Sequence, residues 1–182
     1  MQSSSKLSSS AVSLQVGFQS LNQDFVLPPD FTKVKQLGKG VYGKVMHIVH
    51  KPSQRDYACK RFEYVFGDEQ RARRLIREVK ILQRLAHPCC CRLKCILPPQ
   101  KCLIEPEKEF TADLAYSDVY LVMNKCDMDL KKLIKSSKHL EETHVKSIVY
   151  DILCALHYLH SGKIVHRDLK PANVLVNDDC TV

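Results

Sequence analysis

At 182 residues the chain holds one ordinary domain or two small ones. Its 45% hydrophobic and 26% charged residues are a globular composition that supports a sizeable core. The net charge of +8 comes from 28 basic and 20 acidic residues spread along the chain, which favours an ordinary basic surface, suited to polyphosphate, over a nucleic-acid or membrane arm.

Residues 1 to about 24 are rich in Ser and Gln, lack periodicity and read as a flexible tail. No apolar run of signal-peptide length follows Met1–Ser10, Gln2 breaks the myristoylation pattern, and no stretch approaches membrane-spanning length. From Phe31 to Leu37 polar and apolar residues alternate as in a strand. The glycine-containing run Gly38-Lys39-Gly40-Val41-Tyr42-Gly43 follows, then a second strand from Lys44 to His50. Lys51–Asp56 is a polar turn and Tyr57–Phe62 a third strand. Gly67-Asp68 predicts a break and a helix cap. Ala72, Leu75, Ile76, Val79, Leu82 and Leu85 then recur at helical spacing.

After His87-Pro88 come Cys89, Cys90, Cys91, Cys95 and Cys102, five of the nine cysteines. Their spacing lacks the paired two-residue gaps of structural zinc, and three adjacent cysteines in a strand would face alternate sides. They read instead as packed small hydrophobes, reduced in a cytoplasmic or nuclear protein. An acidic loop spans Glu105 to Asp118, and Val119–Met123 is a buried strand by its apolar continuity. A second helix begins near Glu141, with Val145, Ile148, Val149, Ile152, Leu156 and Leu159 on one face. Ser161-Gly162 ends it as glycine commonly ends a helix. Val174–Val176, Asn177–Asp179 and Cys180–Val182 read as strand, turn and strand.

Gly38-x-Gly40-x-x-Gly43 alone admits several readings. A dinucleotide fold needs a helix after the glycines, yet Lys44–His50 continues as strand. The Walker pattern needs Ser or Thr after Lys44, yet Val45 stands there. What remains is a plain β-turn or a hairpin whose bare backbone approaches the phosphates of ATP. Lys60, 17 residues after Gly43, and Glu78 on the first helix are singly no more than ordinary surface residues. In order after the glycine hairpin, they suit a cation that reaches the phosphates and a carboxylate that holds it.

Downstream, His166-Arg167-Asp168-Leu169-Lys170-Pro171-Ala172-Asn173 reads as a catalytic loop. With these motifs in order, about residues 25 to 182 resemble the eukaryotic Ser/Thr protein kinases. Arg77–Leu82, Asp127-Met128-Asp129-Leu130 and Leu153–Asn177 are worded like the mitogen-activated protein (MAP) kinases. The resemblance implies an α+β, protein-kinase-like fold: a small lobe of about 25–125, with a five-stranded antiparallel sheet and one helix, then the first helices and catalytic loop of a mainly helical large lobe at about 126–182. It implies ATP and Mg²⁺ as cofactors. Asp168 would be the base, Asn173 a Mg²⁺ ligand, Lys170 a contact to the transferred phosphate, and Lys60 with Glu78 the phosphate-positioning pair. Leu37, Val45, Ala58 and Leu175 would enclose adenine beneath the Gly38, Gly40 and Gly43 loop. Met123 would be the gatekeeper, backbone groups of Asn124 and Cys126 would bond the adenine edge, and Asp129 would approach the ribose. Arg77 and Arg167 would grip a phosphorylated loop.

The implied partners are protein substrates and an upstream activating kinase, with neither nucleic acid nor membrane. Cys59, Lys125, Cys126 and the 89–91 cysteines depart from the family's usual residues, and the Leu93–Asp118 segment is longer than expected. No Asp-Phe-Gly triplet, the second Mg²⁺-binding element of these kinases, occurs in the sequence. The expectation is therefore an inactive fragment of an active Ser/Thr kinase. The alternative is a non-catalytic ATP-binding or protein-interaction module.

Overall fold

The computed structural model describes residues 25–40, 43–98 and 118–182. The Ser-rich tail, Val41-Tyr42, Cys102 and the acidic loop as far as Ser117 lie outside the described residues. Five strands form one sheet in the order β1-β2-β3-β5-β4: β1 (Phe31–Gly40), β2 (Gly43–His50), β3 (Arg55–Phe62), β4 (Leu93–Leu97) and β5 (Val119–Asn124). Every pairing is antiparallel. The interior position of β5, between β3 and β4, accounts for its apolar run, since Val119 to Val122 are all buried.

The two sheet faces are closed differently. On one, Ile48, Cys59, Tyr120 and Val122 lie beneath Phe25 and Leu27 of the incoming chain. Val26 N–H donates to Tyr120 Oη at 3.2 Å, and Phe25 meets the Tyr120 ring edge-on at 5.2 Å. On the other, Phe62, Val119 and Leu121 receive α1 (Glu69–Leu82) through Ala72, Leu75, Val79 and Leu82. Each fully buried aliphatic side chain here contributes on the order of 1.5–3 kcal/mol.

Asp68 caps α1 as expected, accepting from Gln70 N–H at 2.8 Å and Arg71 N–H at 3.4 Å. The α-helix stops at Leu82 rather than Leu85. Bonds from Arg84 N–H to Ile81 O and from Leu85 N–H to Leu82 O tighten its end into 3₁₀ turns.

Beyond β5, β6 (Met128–Asp129) pairs with β7 (Leu175–Val176), bracketing α2 (Leu130–Lys135) and α3 (Glu142–Ser161). Leu133, Ile148, Val174 and Val176 make the core of this part, with Ile152 and Val182 against it. The apolar stripe of α3 is thus divided. Ile148 and Leu159 are buried, while Val145 and Val149 stand exposed.

Gly162 follows α3 at φ −81°, and the left-handed position falls one residue later on Lys163 at φ 57°. The expected final strand does not form. Two bonds, Asn177 N–H to Thr181 O and Cys180 N–H to Asn177 O, both at 3.0 Å, close the turn, and Val182 N–H goes instead to Asp151 Oδ2 on α3 at 3.0 Å. No helix among the described residues is long and apolar enough to cross a membrane.

Candidate active site

β1 and β2 bring Gly40 opposite Gly43 at the end of a hairpin, with irregularities in register between Lys33 and Lys35 and between Gln36 and Gly38. Leu37 falls within the second of these. Gly43 has φ 138°, and a Cβ there would lie 1.8 Å from the Arg61 carbonyl oxygen on β3. Only glycine lets the hairpin seat so closely on β3.

Cross-strand register sets the strand residues of the site side by side. Val45 lies opposite Lys60, and Lys60 in turn opposite Leu121. Ala58 stands between His47 on β2 and Met123 on β5. Lys60 Nζ reaches both carboxylate oxygens of Glu78 on α1, at 2.7 and 3.0 Å, and lies 4.6 Å from the Phe62 ring centroid. Its side chain is 24% exposed and that of Glu78 is 33% exposed, so water screens this pair only in part. The strand Lys and helix Glu anticipated from spacing therefore meet.

At the end of β5, Asn124 N–H donates to Arg92 O at 3.2 Å, and the Cys91 thiol sits 4.0 Å from Asn124 O. Cys126 is half-buried and its thiol is pushed up, first by burial and then by Asp127. Asp129 caps α2 by accepting from Lys132 N–H at 2.8 Å, and its Oδ2 is 3.1 Å from the Lys132 ammonium. Burial raises its carboxyl, but these Lys132 contacts outweigh it and hold the group below the usual range. The β6–β7 register sets Leu175 opposite Asp129.

The His166–Asn173 octapeptide forms a second, exposed cluster. Arg167 has φ 65°, and Asp168 N–H donates to His166 Nδ1 at 3.3 Å. A 3₁₀ turn over Pro171–Asn173 returns the Asn173 side chain, whose Nδ2 donates to Asp168 O at 2.8 Å and Oδ2 at 2.9 Å. Lys170 Nζ lies 2.8 Å from the same Oδ2. The Lys170 ammonium and then the Asn173 amide hold the Asp168 carboxyl below the usual carboxylate range. An ionised carboxylate beside an ammonium can accept a proton from a hydroxyl while the cation faces a phosphate.

Arg77 lines a cavity of about 720 Å³ between α1 and the end of β3, together with Arg71, Arg74 and Gly43. Arg167 belongs to the exposed loop.

Two carboxylates carry weight that sequence reasoning missed. Asp118, at the entry to β5, accepts from Arg61 at 2.7 Å from Nε and at 2.6 Å from NH2, and from Tyr64 N–H at 3.1 Å. Asp127 binds Lys125 Nζ at 3.1 Å and Asp178 N–H at 3.0 Å. Asp127 stands in the quoted Asp127–Leu130 wording without a role of its own, and no spacing gives either carboxylate its partners, which lie as far as 57 and 51 residues away. Cys89–Cys91 form a turn rather than a strand, because Cys90 N–H bonds His87 O and Cys89 N–H bonds His87 Nδ1. Among the described residues no group of three His, Cys, Asp or Glu is placed to hold a metal ion.

The protein kinase domain model matches residues 31–182. Mitogen-activated protein kinase MPS1 of Pyricularia oryzae is 35% identical over 164 residues, covering 90% of this chain and 37% of that protein. Mitogen-activated protein kinase 14 of Arabidopsis thaliana is 35% identical over 156 residues, 86% of this chain and 40% of its own length. Mitogen-activated protein kinase mpkA of Aspergillus fumigatus is 34% identical over 164 residues, with coverages of 90% and 36%. The chain thus spans between 36% and 40% of the length of these relatives. The family match runs from β1 through the octapeptide loop, the same elements that assemble both clusters: the chain belongs to the protein kinase domain family and is similar to the MAP kinases.

Proposed function

We propose that the chain binds ATP with Mg²⁺ and supplies the phosphate-positioning and proton-accepting groups of a MAP-kinase-type transfer of the γ-phosphate to Ser/Thr hydroxyls. The observation that carries this reading is the Lys60–Glu78 ion pair beside the glycine hairpin, with Lys60 opposite Val45. Glu78 holds the ammonium so that it meets the α- and β-phosphates. Backbone N–H groups at Gly38, Gly40 and Gly43 approach the same phosphates, and Arg61 O leaves no room for a side chain at Gly43.

Leu37, Val45, Ala58 and Leu175 enclose the adenine, with Met123 as gatekeeper. The backbone of Asn124 and Cys126 reads its edge, and Asp129 meets the ribose. One donor, the Asn173 amide oxygen, suits a hard cation. Asn173 commits its N–H groups to Asp168, which leaves its amide oxygen as a neutral ligand for Mg²⁺. Mg²⁺, when bound, neutralises and orients the phosphate oxygens.

Asp168 is the base. Its depressed carboxyl is ionised at neutral pH, and the acceptor hydroxyl gives its proton to that carboxylate as its oxygen bonds the γ-phosphorus and the bond from phosphorus to the ADP oxygen breaks, releasing ADP. Lys170 stands beside it to meet the negative charge of the transferred group. Arg77 and Arg167 serve a phosphorylated loop. In this reading, residues of about 25–125 are the small lobe and about 126–182 begin the large lobe. Protein substrates and an upstream activating kinase are the partners, in cytoplasm or nucleus.

Radiometric transfer from ATP to a generic Ser/Thr substrate tests the assignment in protein containing this sequence. Asp168→Asn and Lys60→Met should each abolish transfer at an unchanged melting temperature. Near-normal rates in either variant would overturn the roles.

A further inference from the structure

We propose that Asp127 is the positioning residue of the adenine-reading segment, stapling Asn124–Cys126 to the turn that follows β7. This inference rests on the reading of that segment as the adenine contact. Backbone hydrogen bonds hold the chain on either side. Asn124 N–H bonds Arg92 O at 3.2 Å, and beyond it Met128 pairs with Val176 and Leu130 N–H bonds Val174 O at 2.8 Å. Between these anchors, no backbone–backbone bond among the described residues holds Lys125, Cys126 or Asp127. The peptide groups of Cys126 are thus left for a ligand, and without another restraint their direction is undefined.

Asp127 supplies that restraint. One carboxylate oxygen takes the Lys125 ammonium at 3.1 Å, and the other takes Asp178 N–H at 3.0 Å. The first contact fixes the residue before Cys126, while the second fixes the residue after it to the far part of the fold. The far anchor is itself bonded. Cys180 N–H closes the turn on Asn177 O at 3.0 Å, and Lys138 Nζ reaches Asp178 Oδ1 at 3.4 Å.

A decorative surface pair would satisfy only the ammonium. Acceptance from a backbone N–H 51 residues away ties two separate parts of the chain. Lys125, only 18% exposed, cannot swing freely into water. The Lys125 ammonium and then the Asp178 N–H hold the Asp127 carboxyl low, so the staple stays charged through the neutral range.

The test uses a fluorescent methylanthraniloyl ATP with Mg²⁺, and inorganic triphosphate as a competitor that lacks the base. Wild type should bind both. Asp127→Ala should weaken the ATP analogue about tenfold through lost pre-organisation and leave triphosphate competition unchanged, while its melting temperature falls with the two lost contacts and the protein stays folded at the assay temperature. Asp127→Asn, which retains an oxygen for Asp178 N–H, should fall between. Unchanged analogue affinity in Asp127→Ala overturns the inference while leaving the ATP reading intact. Equal weakening of analogue and triphosphate in both variants overturns it in favour of a general structural role. Failure of wild type to bind the analogue overturns the ATP reading and, with it, this one.

Discussion

Replacing Gly43 with Ala tests how tightly the glycine hairpin is seated on β3. The backbone at Gly43 has φ 138°, a region that L side chains rarely adopt, and an added Cβ would meet the Arg61 carbonyl oxygen at 1.8 Å. Conformational strain of this kind costs about 1–3 kcal/mol. Relieving the clash also requires β2 to lift from β3 near the Val45–Lys60 pair, so the strain figure is a lower bound. For a chain of this size about 1 kcal/mol moves the melting temperature by about 2–4 °C, which predicts a fall of several degrees. Gly38→Ala is the internal control. A Cβ there has no heavy atom within 4 Å, and Gly38 has no positive φ, so stability should hold or rise by about 0.4–1 kcal/mol. Differential scanning fluorimetry of both variants reads the contrast. Equal shifts, or a Gly43→Ala protein as stable as wild type, would refute the reasoning.

Asp118→Ala should cost about 1–3 kcal/mol in urea denaturation, because it takes from part-buried Arg61 its shortest carboxylate contacts and orphans Tyr64 N–H. A loss below about 1 kcal/mol would reduce the pair to a surface contact. Asp127, Asp129, Asp168 and Asp179 are all held below their ordinary value of 3.8. Groups depressed in the folded state stabilise it above their unfolded pKa, and that stability is lost as pH falls through the folded pKa. Melting temperature should therefore decline below about pH 4, and a rise on acidification would contradict the assignment. Burial pushes the Cys91 thiol up to about 11 and that of fully buried Cys59 further, whereas Cys95 is exposed. Burial raises the Cys95 thiol as well, but iodoacetamide followed by peptide mass spectrometry should mark Cys95 before Cys91 and Cys59, and prior labelling of Cys59 would show that the sheet core is open.

Where periodicity and local chemistry act together, the sequence was readable. Asp68 before the 3.6-residue pattern located α1, and the apolar run of β5 reported its interior place in the sheet. β4 is harder to read because it is an edge strand, with Lys94, Cys95 and Ile96 all exposed and no alternation to see. The helix ends depended on tertiary context. Lys163 took the left-handed position that glycine would have suited, and α1 tightened into 3₁₀ turns three residues before its apolar pattern stopped. The Lys60–Glu78 pair was legible because strand and helix carry both residues in a known order. Asp118 and Asp127 were not, because each acts on a backbone N–H that any residue could supply.

Titration calorimetry of Mg·ATP into the chain tests the central claim most directly, since the claim is that Lys60, fixed by Glu78, positions the phosphates. Wild type should bind saturably at one site. Lys60→Met should bind about tenfold more weakly, as befits loss of a part-buried charge-assisted contact, and Glu78→Gln should lie between. Absence of wild-type binding, or identical affinities in all three proteins, would contradict the account.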